Sequence, residues 1–112
     1  MRGRVFVEVD DDGPIRIFRT PAAARLHDGY TEEWPRKDAV AAIRLRVFQR
    51  AKGHCEKCNK ILTWAGCHMH ERIPRSKGGE ISLKNSEALC YSCHLGGSES
   101  EHPNRQVRFG KH

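Results

Sequence analysis

The sequence has no long apolar run and few aromatic residues. Of its 112 residues, 38% are hydrophobic and 7% are aromatic, so the chain can bury only one modest core. No segment has the length of apolar sequence that a membrane-spanning helix needs. Met1 is followed by alternating Arg and Val, and then by Asp10 to Asp12, which differs from a secretory signal. We therefore expect a cytoplasmic protein with no membrane partner.

The chain contains more basic than acidic residues. Lys and Arg number 20 against 14 Asp and Glu, which gives a net charge of +6 with neutral histidines. Such a surplus favours a polyanionic partner, although ordinary solubility accounts for it equally well. Charge therefore supports a nucleic acid partner only together with a recognisable site.

The five cysteines have a spacing that is typical of metal binding. Two Cys-x-x-Cys pairs are present, Cys55 with Cys58 and Cys90 with Cys93, and Cys67 is left over. Each pair can form a tight turn, or knuckle, that directs both sulfurs to one point, and two such turns complete a tetrahedral Zn²⁺ site. Disulfides are the alternative, but a reducing compartment disfavours them. We predict one structural zinc, with Cys67 as a small buried residue.

The first third of the chain predicts a hairpin and a short helix. Residues 4–9 and 15–18 are rich in Val, Ile and Phe, and the stretch Asp-Asp-Asp-Gly-Pro between them is typical of a turn. Thr20 followed by Pro21 indicates the start of a helix that runs to His27. Residues 29–36 are expected to form a linker.

The sequence after residue 36 predicts a longer helix, followed by a unit of two strands and a second helix. Apolar residues at spacings of three and four indicate a helix from Asp38 to just before Gly53. Residues 61–81 are expected to form two strands joined by the loop 74–79, and 83–95 a compact helix that carries the second cysteine pair. The residues from 96 to 112 are expected to form a basic tail.

Residues 43–95 resemble the HNH endonucleases, and in particular small phage-encoded members with a four-cysteine zinc site. The motifs that carry the resemblance are, in order, Arg46-Val47-Phe48-Gln49-Arg50, Cys55-Glu56-Lys57-Cys58, His70-Glu71-Arg72-Ile73-Pro74-Arg75-Ser76-Lys77-Gly78-Gly79, Asn85 and Leu89-Cys90-Tyr91-Ser92-Cys93-His94. The resemblance implies an α+β fold with a ββα-metal (His-Me finger) core. It also divides the chain into a hairpin and helix of open role (1–36), a nuclease domain (37–95) and the tail (96–112).

The resemblance further implies a set of catalytic residues. His94 corresponds to a ligand of a catalytic divalent cation such as Mg²⁺ or Mn²⁺. Asn85 corresponds to a residue that binds this cation or holds the active loop by hydrogen bonds across the hairpin. His70, four residues before Pro74, corresponds to a cation ligand, and Glu71 takes the place of the usual general base histidine.

Strand geometry supports a second assignment of the same residues. In an extended strand His68 and His70 share one face and Glu71 points to the other. This geometry makes His70 the base and lets His68 or a water complete the cation shell. The register against Pro74 favours His70 as ligand and Glu71 as base, and we give the register the greater weight because a bulge can redirect a side chain.

The basic residues beside this site are candidates for DNA contact. Arg72, Arg75 and Lys77 flank it and are expected to bind phosphate, although plain solvation explains such residues elsewhere. The sequence thus predicts an enzyme, a metal-dependent HNH DNA endonuclease. The phage resemblance implies a role in genome processing or packaging, terminase or packaging proteins as partners, and a location in the host cytoplasm. The alternative is a zinc-stabilised nucleic-acid-binding module that has lost cleavage.

Overall fold

The computed structural model describes residues 3–96, which form a mixed α and β fold as predicted. The predicted basic tail lies outside the described residues except for its first residue. Within residues 3–96, no helix has both the length and the apolar character that crossing a membrane requires. The elements in chain order are β1 (Arg4–Asp10), β2 (Gly13–Ile17), α1 (Pro21–Arg25), β3 (Thr31–Pro35), α2 (Arg36–Ala51), β4 (His68–Glu71), a 3-10 turn (Arg75–Lys77), β5 (Ile81–Ser82), β6 (Ser86–Leu89) and a π-helical turn (Ser92–Gly96).

The chain forms two compact units. Among the described residues, the first unit comprises 3–47 and 71–86, and the second comprises 48–70 and 87–96. The three-part division predicted from the sequence, with boundaries after residues 36 and 95, stays a prediction.

The first unit contains a four-stranded sheet in the order β3, β1, β2, β5. The predicted hairpin is confirmed, since β1 and β2 pair antiparallel with a register shift between Glu8 and Val9. The turn between them is held by Asp10, whose Oδ1 accepts the Asp12 N–H at 2.9 Å, and by Gly13 at φ 124°, a value that L side chains rarely adopt. The predicted α1 is confirmed too.

The predicted linker at residues 29–36 is wrong. Thr31–Pro35 forms β3, which pairs antiparallel along β1 from Glu8 to Arg4. The side chains of this strand find local partners, because Trp34 Nε1 donates to Glu32 Oε1 at 2.7 Å and Arg4 pairs with Glu33 at 3.3 Å. Two adjacent glutamates are unfavourable in strands by propensity, so the pairing along β1 overrides the local signal.

Helix α2 is confirmed and extends a little further towards its N-terminus than predicted. Its buried residues are Ala39, Ile43 and Val47, at a spacing of four residues that places them along one face. Arg46 lies at the edge of this face, and its guanidinium binds the Asp10 carboxylate at 3.0 Å and the carbonyl oxygens of Gly13 and Pro14 at the start of β2. This arginine therefore stabilises the hairpin turn.

The second unit corrects two sequence predictions. Strand β4 pairs with β6, whereas the predicted partner, β5, pairs with β2 in the first unit. The predicted helix at 83–95 is wrong over its first half, because Ser86–Leu89 is a strand and helical backbone begins only at the second cysteine pair. Ala88 and Leu89 are good helix formers and are fully buried here, so tertiary packing and strand pairing outweigh their propensity.

Candidate metal centre and histidine group

The four predicted cysteines meet in the second unit. One Sγ atom from each of Cys55, Cys58, Cys90 and Cys93 lies within 4.8 Å of the other three. The Sγ atoms of Cys58 and Cys90 are 3.7 Å apart, and all the cysteines are free thiols. Zn–S bonds of about 2.3 Å in a tetrahedral site place the sulfurs about 3.8 Å apart. The cluster can therefore hold a metal such as zinc, and its all-sulfur donor set suits zinc better than a hard cation.

Backbone hydrogen bonds shape both knuckles. The N–H groups of Lys57 and Cys58 point to Cys55 Sγ at 3.4 Å, and the N–H of Cys93 points to Cys90 Sγ at 3.5 Å. Donors aimed at a sulfur stabilise its thiolate form, which is the form that binds a metal. The knuckles therefore prepare their sulfurs for metal binding through the backbone itself.

The thiol pKa values differ across the cluster. Burial raises the pKa of Cys55, but the backbone N–H groups of Cys58, Cys90 and Lys57 outweigh burial and lower it to about 6. Burial and the neighbouring thiols raise the pKa of Cys93 above its usual range. Cys55 therefore forms its thiolate more readily than Cys93, and a bound cation would favour the thiolate form of the ligands that hold it.

Glu56 ties the first knuckle to the strand that leads into the second. Its backbone N–H donates to the Ala88 carbonyl at 2.8 Å, and its side-chain Oε1 accepts the Ala88 N–H at 2.8 Å. The same carboxylate receives two hydrogen bonds from Arg50 of α2, at 2.9 and 2.7 Å. Such a bidentate pair fixes orientation as well as distance. The Cys-Glu-Lys-Cys stretch by itself does not predict this role, because the partner of Glu56 lies 32 residues away in the sequence.

Three histidines form a group in the second unit, and we call His68, His70 and His94 the histidine group. His94 lies in the π-helical turn and its backbone N–H donates to the Cys90 carbonyl at 3.0 Å, so the second knuckle positions it. His68 and His70 lie on one face of β4, and their ring centroids are 5.3 and 5.5 Å from that of His94. The Nδ1 atoms of His68 and His94 are 3.2 Å apart. Strand alternation had placed the two strand histidines on one face, as observed.

An exposed aromatic residue borders this group. Tyr91, between the two cysteines of the second pair, is 55% exposed, and its ring lies edge-on to His68 with centroids 5.8 Å apart. An exposed ring beside polar side chains can stack on a base or a sugar. The sequence analysis did not single out this residue.

Asn85, in the first unit, closes the loop that follows β4. Its Oδ1 accepts the Ile73 N–H at 2.8 Å, and its Nδ2 donates to the carbonyls of Ile73 at 3.0 Å and Glu80 at 2.8 Å. Gly79 lies so close to the Ile73 carbonyl that a Cβ there would overlap it. The amide is thus engaged on both its oxygen and its nitrogen. Of the two roles that the resemblance left open for Asn85, this geometry supports the one of holding the loop.

Replacing Asn85 with aspartate is expected to loosen this loop. Aspartate has the same shape but loses both donated hydrogen bonds, and its charge faces two carbonyl oxygens, so we expect the free energy of unfolding to fall by about 2 kcal/mol. Urea denaturation of zinc-loaded protein measures the change. Lys84→Ala, at the exposed neighbouring position, is the control and should stay within about 0.5 kcal/mol. Equal stability of Asn85→Asp and the parent protein would contradict the assigned role.

The remaining predicted site residues lie at the end of β4 and in the loop that follows it. The carboxylate of Glu71 pairs with Arg75 at 3.6 Å, and the Arg72 guanidinium donates to the Lys84 carbonyl at 3.1 Å. Arg72, Arg75 and Lys77 are all exposed. Among the three, Arg72 and Arg75 have partners that restrict their side chains, which suits positioned contacts better than a freely solvated face does.

Comparison with known proteins supports the family predicted from the sequence. A family model described as HNH endonuclease matches residues 55–99, beginning at the first cysteine of the cluster. No curated protein and no solved structure matches the chain. Such domains generally belong to nuclease hydrolases and imply a nucleic acid substrate, namely DNA. Residues 55–99, which include the four-cysteine cluster and the histidine group, therefore match the model of an HNH endonuclease domain.

Proposed function

We propose that the protein is a metal-dependent DNA endonuclease that hydrolyses phosphodiester bonds and contains one structural Zn²⁺. The observation that carries this proposal is the histidine group, which lies directly beside a metal-binding cysteine cluster within an HNH domain. The order of β4, β6 and the π-helical turn supports a ββα-metal core.

In this proposal each residue has one role. His94 and His70 hold a catalytic divalent cation, and Asn85 holds the loop that follows β4. The cation, when bound, neutralises charge on the phosphate oxygens and on the leaving 3′ oxygen. Glu71 accepts the proton of the attacking water as general base. The ion pair with Arg75 and the low exposure of the Glu71 side chain, 23%, keep its carboxylate in a restricted position.

Arg72, Arg75 and Lys77 are proposed to contact the phosphate backbone. Guanidinium groups bind phosphate oxygens in a fixed fork, which positions the strand without reading its sequence. By family resemblance, we further propose a role in phage genome processing or packaging in the host cytoplasm, with terminase or packaging proteins as partners.

Plasmid digestion tests the enzyme proposal against the binding-module alternative. Zinc-loaded protein is incubated with supercoiled plasmid in metal-free buffer and then with added Mn²⁺ or Mg²⁺, and zinc content is checked in both cases. We expect nicked or linear product only after the cation is added. A nucleic-acid-binding module would instead retard the plasmid band and leave it intact with either ion. This outcome would contradict the nuclease proposal.

Glu71→Gln tests the base assignment. Glutamine keeps the shape and loses the proton acceptor, so we expect the cleavage rate to fall by about 10²-fold or more while DNA binding and zinc content stay constant. Glu33→Gln, on β3, is the matched control. Glu71→His is the second variant, and a faster cleavage rate would show that residue 71 occupies the position of the general base. An unchanged rate in Glu71→Gln would instead move the base role to His70.

A further inference from the structure

We propose that His68 is a ligand of the catalytic cation and that the site selects a transition-metal ion over Mg²⁺. This inference rests on the proposed nuclease function, but it concerns a residue that lies outside the motif carrying the resemblance. It begins from the separation of two ring nitrogens in the histidine group.

The Nδ1 atoms of His68 and His94 have the separation of two ligands on one ion. They are 3.2 Å apart. Metal–nitrogen bonds of about 2.1 Å, with an angle of about 90° to 110° at the metal, place two nitrogens about 3.0 to 3.4 Å apart. A hydrogen bond between one Nδ1–H and the other Nδ1 fits the same distance. A shared metal ion and a hydrogen bond therefore both fit this distance, but they predict different effects of a His68 substitution on metal binding.

The surrounding chain fixes both rings. His94 is anchored by its backbone N–H on the Cys90 carbonyl, and His68 lies on β4, which pairs with β6 just before that knuckle. The Tyr91 ring packs edge-on against His68 from the side of the knuckle. A pair of ligands held before the ion arrives loses little conformational entropy on binding. The structural zinc site thus sets the geometry of a second metal site through His94.

The ligand chemistry selects the ion. Imidazole nitrogen suits Zn²⁺, Ni²⁺ and Co²⁺, whereas Mg²⁺ prefers oxygen ligands and retains its waters. The pair of His68 and His94 offers imidazole nitrogen and no oxygen. We therefore expect affinity to rise from Mg²⁺ through Mn²⁺ to Ni²⁺, in the general order for divalent ions.

Calorimetric titration of zinc-loaded protein with Ni²⁺ tests the ligand. We expect His68→Ala to weaken Ni²⁺ binding by at least about tenfold, since loss of even a supporting partner costs this much. His68→Asn is the second variant, because its amide oxygen can replace Nδ1 as a hydrogen-bond acceptor for His94 but is a poor ligand for Ni²⁺. Met69→Ala, next along β4, is the control for damage to the strand. Zinc content and the thermal midpoint verify that each variant is folded.

The outcomes separate this inference from the proposed function. Unchanged Ni²⁺ affinity in both His68 variants would overturn the inference and leave the His68–His94 contact as a hydrogen bond, even if plasmid cleavage persists. Restored affinity in His68→Asn but not in His68→Ala would also overturn it, because a hydrogen-bond acceptor would then suffice. If both variants lose Ni²⁺ binding while the parent protein cuts no plasmid with any ion, the ligand assignment stands and the nuclease proposal fails.

Discussion

Cys90→Ser is expected to abolish the compact fold of the second unit. This unit buries few of its described side chains, and two of the buried residues belong to the four-cysteine cluster. The buried residues are Cys55, Leu62, Cys67, His70, Ala88, Leu89 and Cys90. Structural Zn²⁺ in small domains contributes about 10 to 16 kcal/mol of apparent binding free energy at neutral pH. A whole domain is stable by only about 5 to 15 kcal/mol. Loss of one thiolate therefore removes most of what stabilises this unit.

Zinc content and near-ultraviolet circular dichroism measure the effect of Cys90→Ser. Cys67→Ala is the matched control, because Cys67 is 4% exposed and is not one of the four clustered cysteines. We expect the control to retain one zinc per chain and its near-ultraviolet signal. A Cys90→Ser protein with parental zinc content and a parental spectrum would show that the cluster is not the structural metal site.

Metal removal from the parent protein should reproduce this loss reversibly. A strong chelator is expected to unfold the second unit, and Zn²⁺ but not Mg²⁺ should restore it, because the donor set consists of four sulfurs. Lower pH should act in the same direction, since protons compete with the metal for thiolates. The proposed cleavage activity should be lost together with the fold in this case, because the second knuckle positions His94.

The sequence predicts features whose cause is local. A knuckle needs only two cysteines at the right spacing and the N–H groups between them, so the two knuckles could be predicted without knowledge of the fold. The same is true of the β1–β2 turn, where Asp10 and Gly13 supply the turn chemistry, and of α1, where the Thr20 side chain accepts the Ala23 N–H at 3.1 Å. Each of these is decided within a few residues.

The wrong predictions concern contacts between distant segments. Strand β5 has only two residues, and its pairing with β2 depends on a segment more than 60 residues earlier in the chain. Strand β6 consists of residues that favour helix, yet Ala88 is held through both its N–H and its carbonyl by Glu56. Strands β5 and β6 are too short to show a periodic pattern of apolar residues that would predict their pairing. The β4–β6 pairing and the short π-helical turn therefore emerge only from the structure.

The candidate site likewise has one feature that the local sequence predicts and another that depends on packing between distant segments. Alternation along a strand correctly placed His68 and His70 on one face, because a period of two is a local property. The approach of His68 to His94 depends on how β4 and the second knuckle pack, which no spacing reveals. For this reason His70 and Glu71 are proposed from the motif register, whereas the proposed role of His68 depends on its contact with His94.

His94→Ala is expected to abolish DNA cleavage and to spare the fold. Its imidazole is proposed to hold the catalytic cation, and removal of charge stabilisation worth several kcal/mol corresponds to a rate loss of about 10³-fold or more. The backbone N–H of residue 94, which closes the second knuckle on the Cys90 carbonyl, is retained in alanine. Zinc binding should therefore survive. The plasmid assay with Mn²⁺, together with zinc content and a gel shift on uncut DNA, measures these three properties separately.

The histidine at position 54 provides the control for His94→Ala. Its Nδ1 bonds to the Lys52 carbonyl at 2.9 Å, and it lies beside the first knuckle as His94 lies beside the second. His54→Ala should therefore cut plasmid at the parental rate, because its imidazole has no role at the cation. Parental cleavage by His94→Ala would place the cation elsewhere. Loss of zinc in His94→Ala would instead show that the side chain supports the knuckle, and the two results together decide whether position 94 serves catalysis or structure.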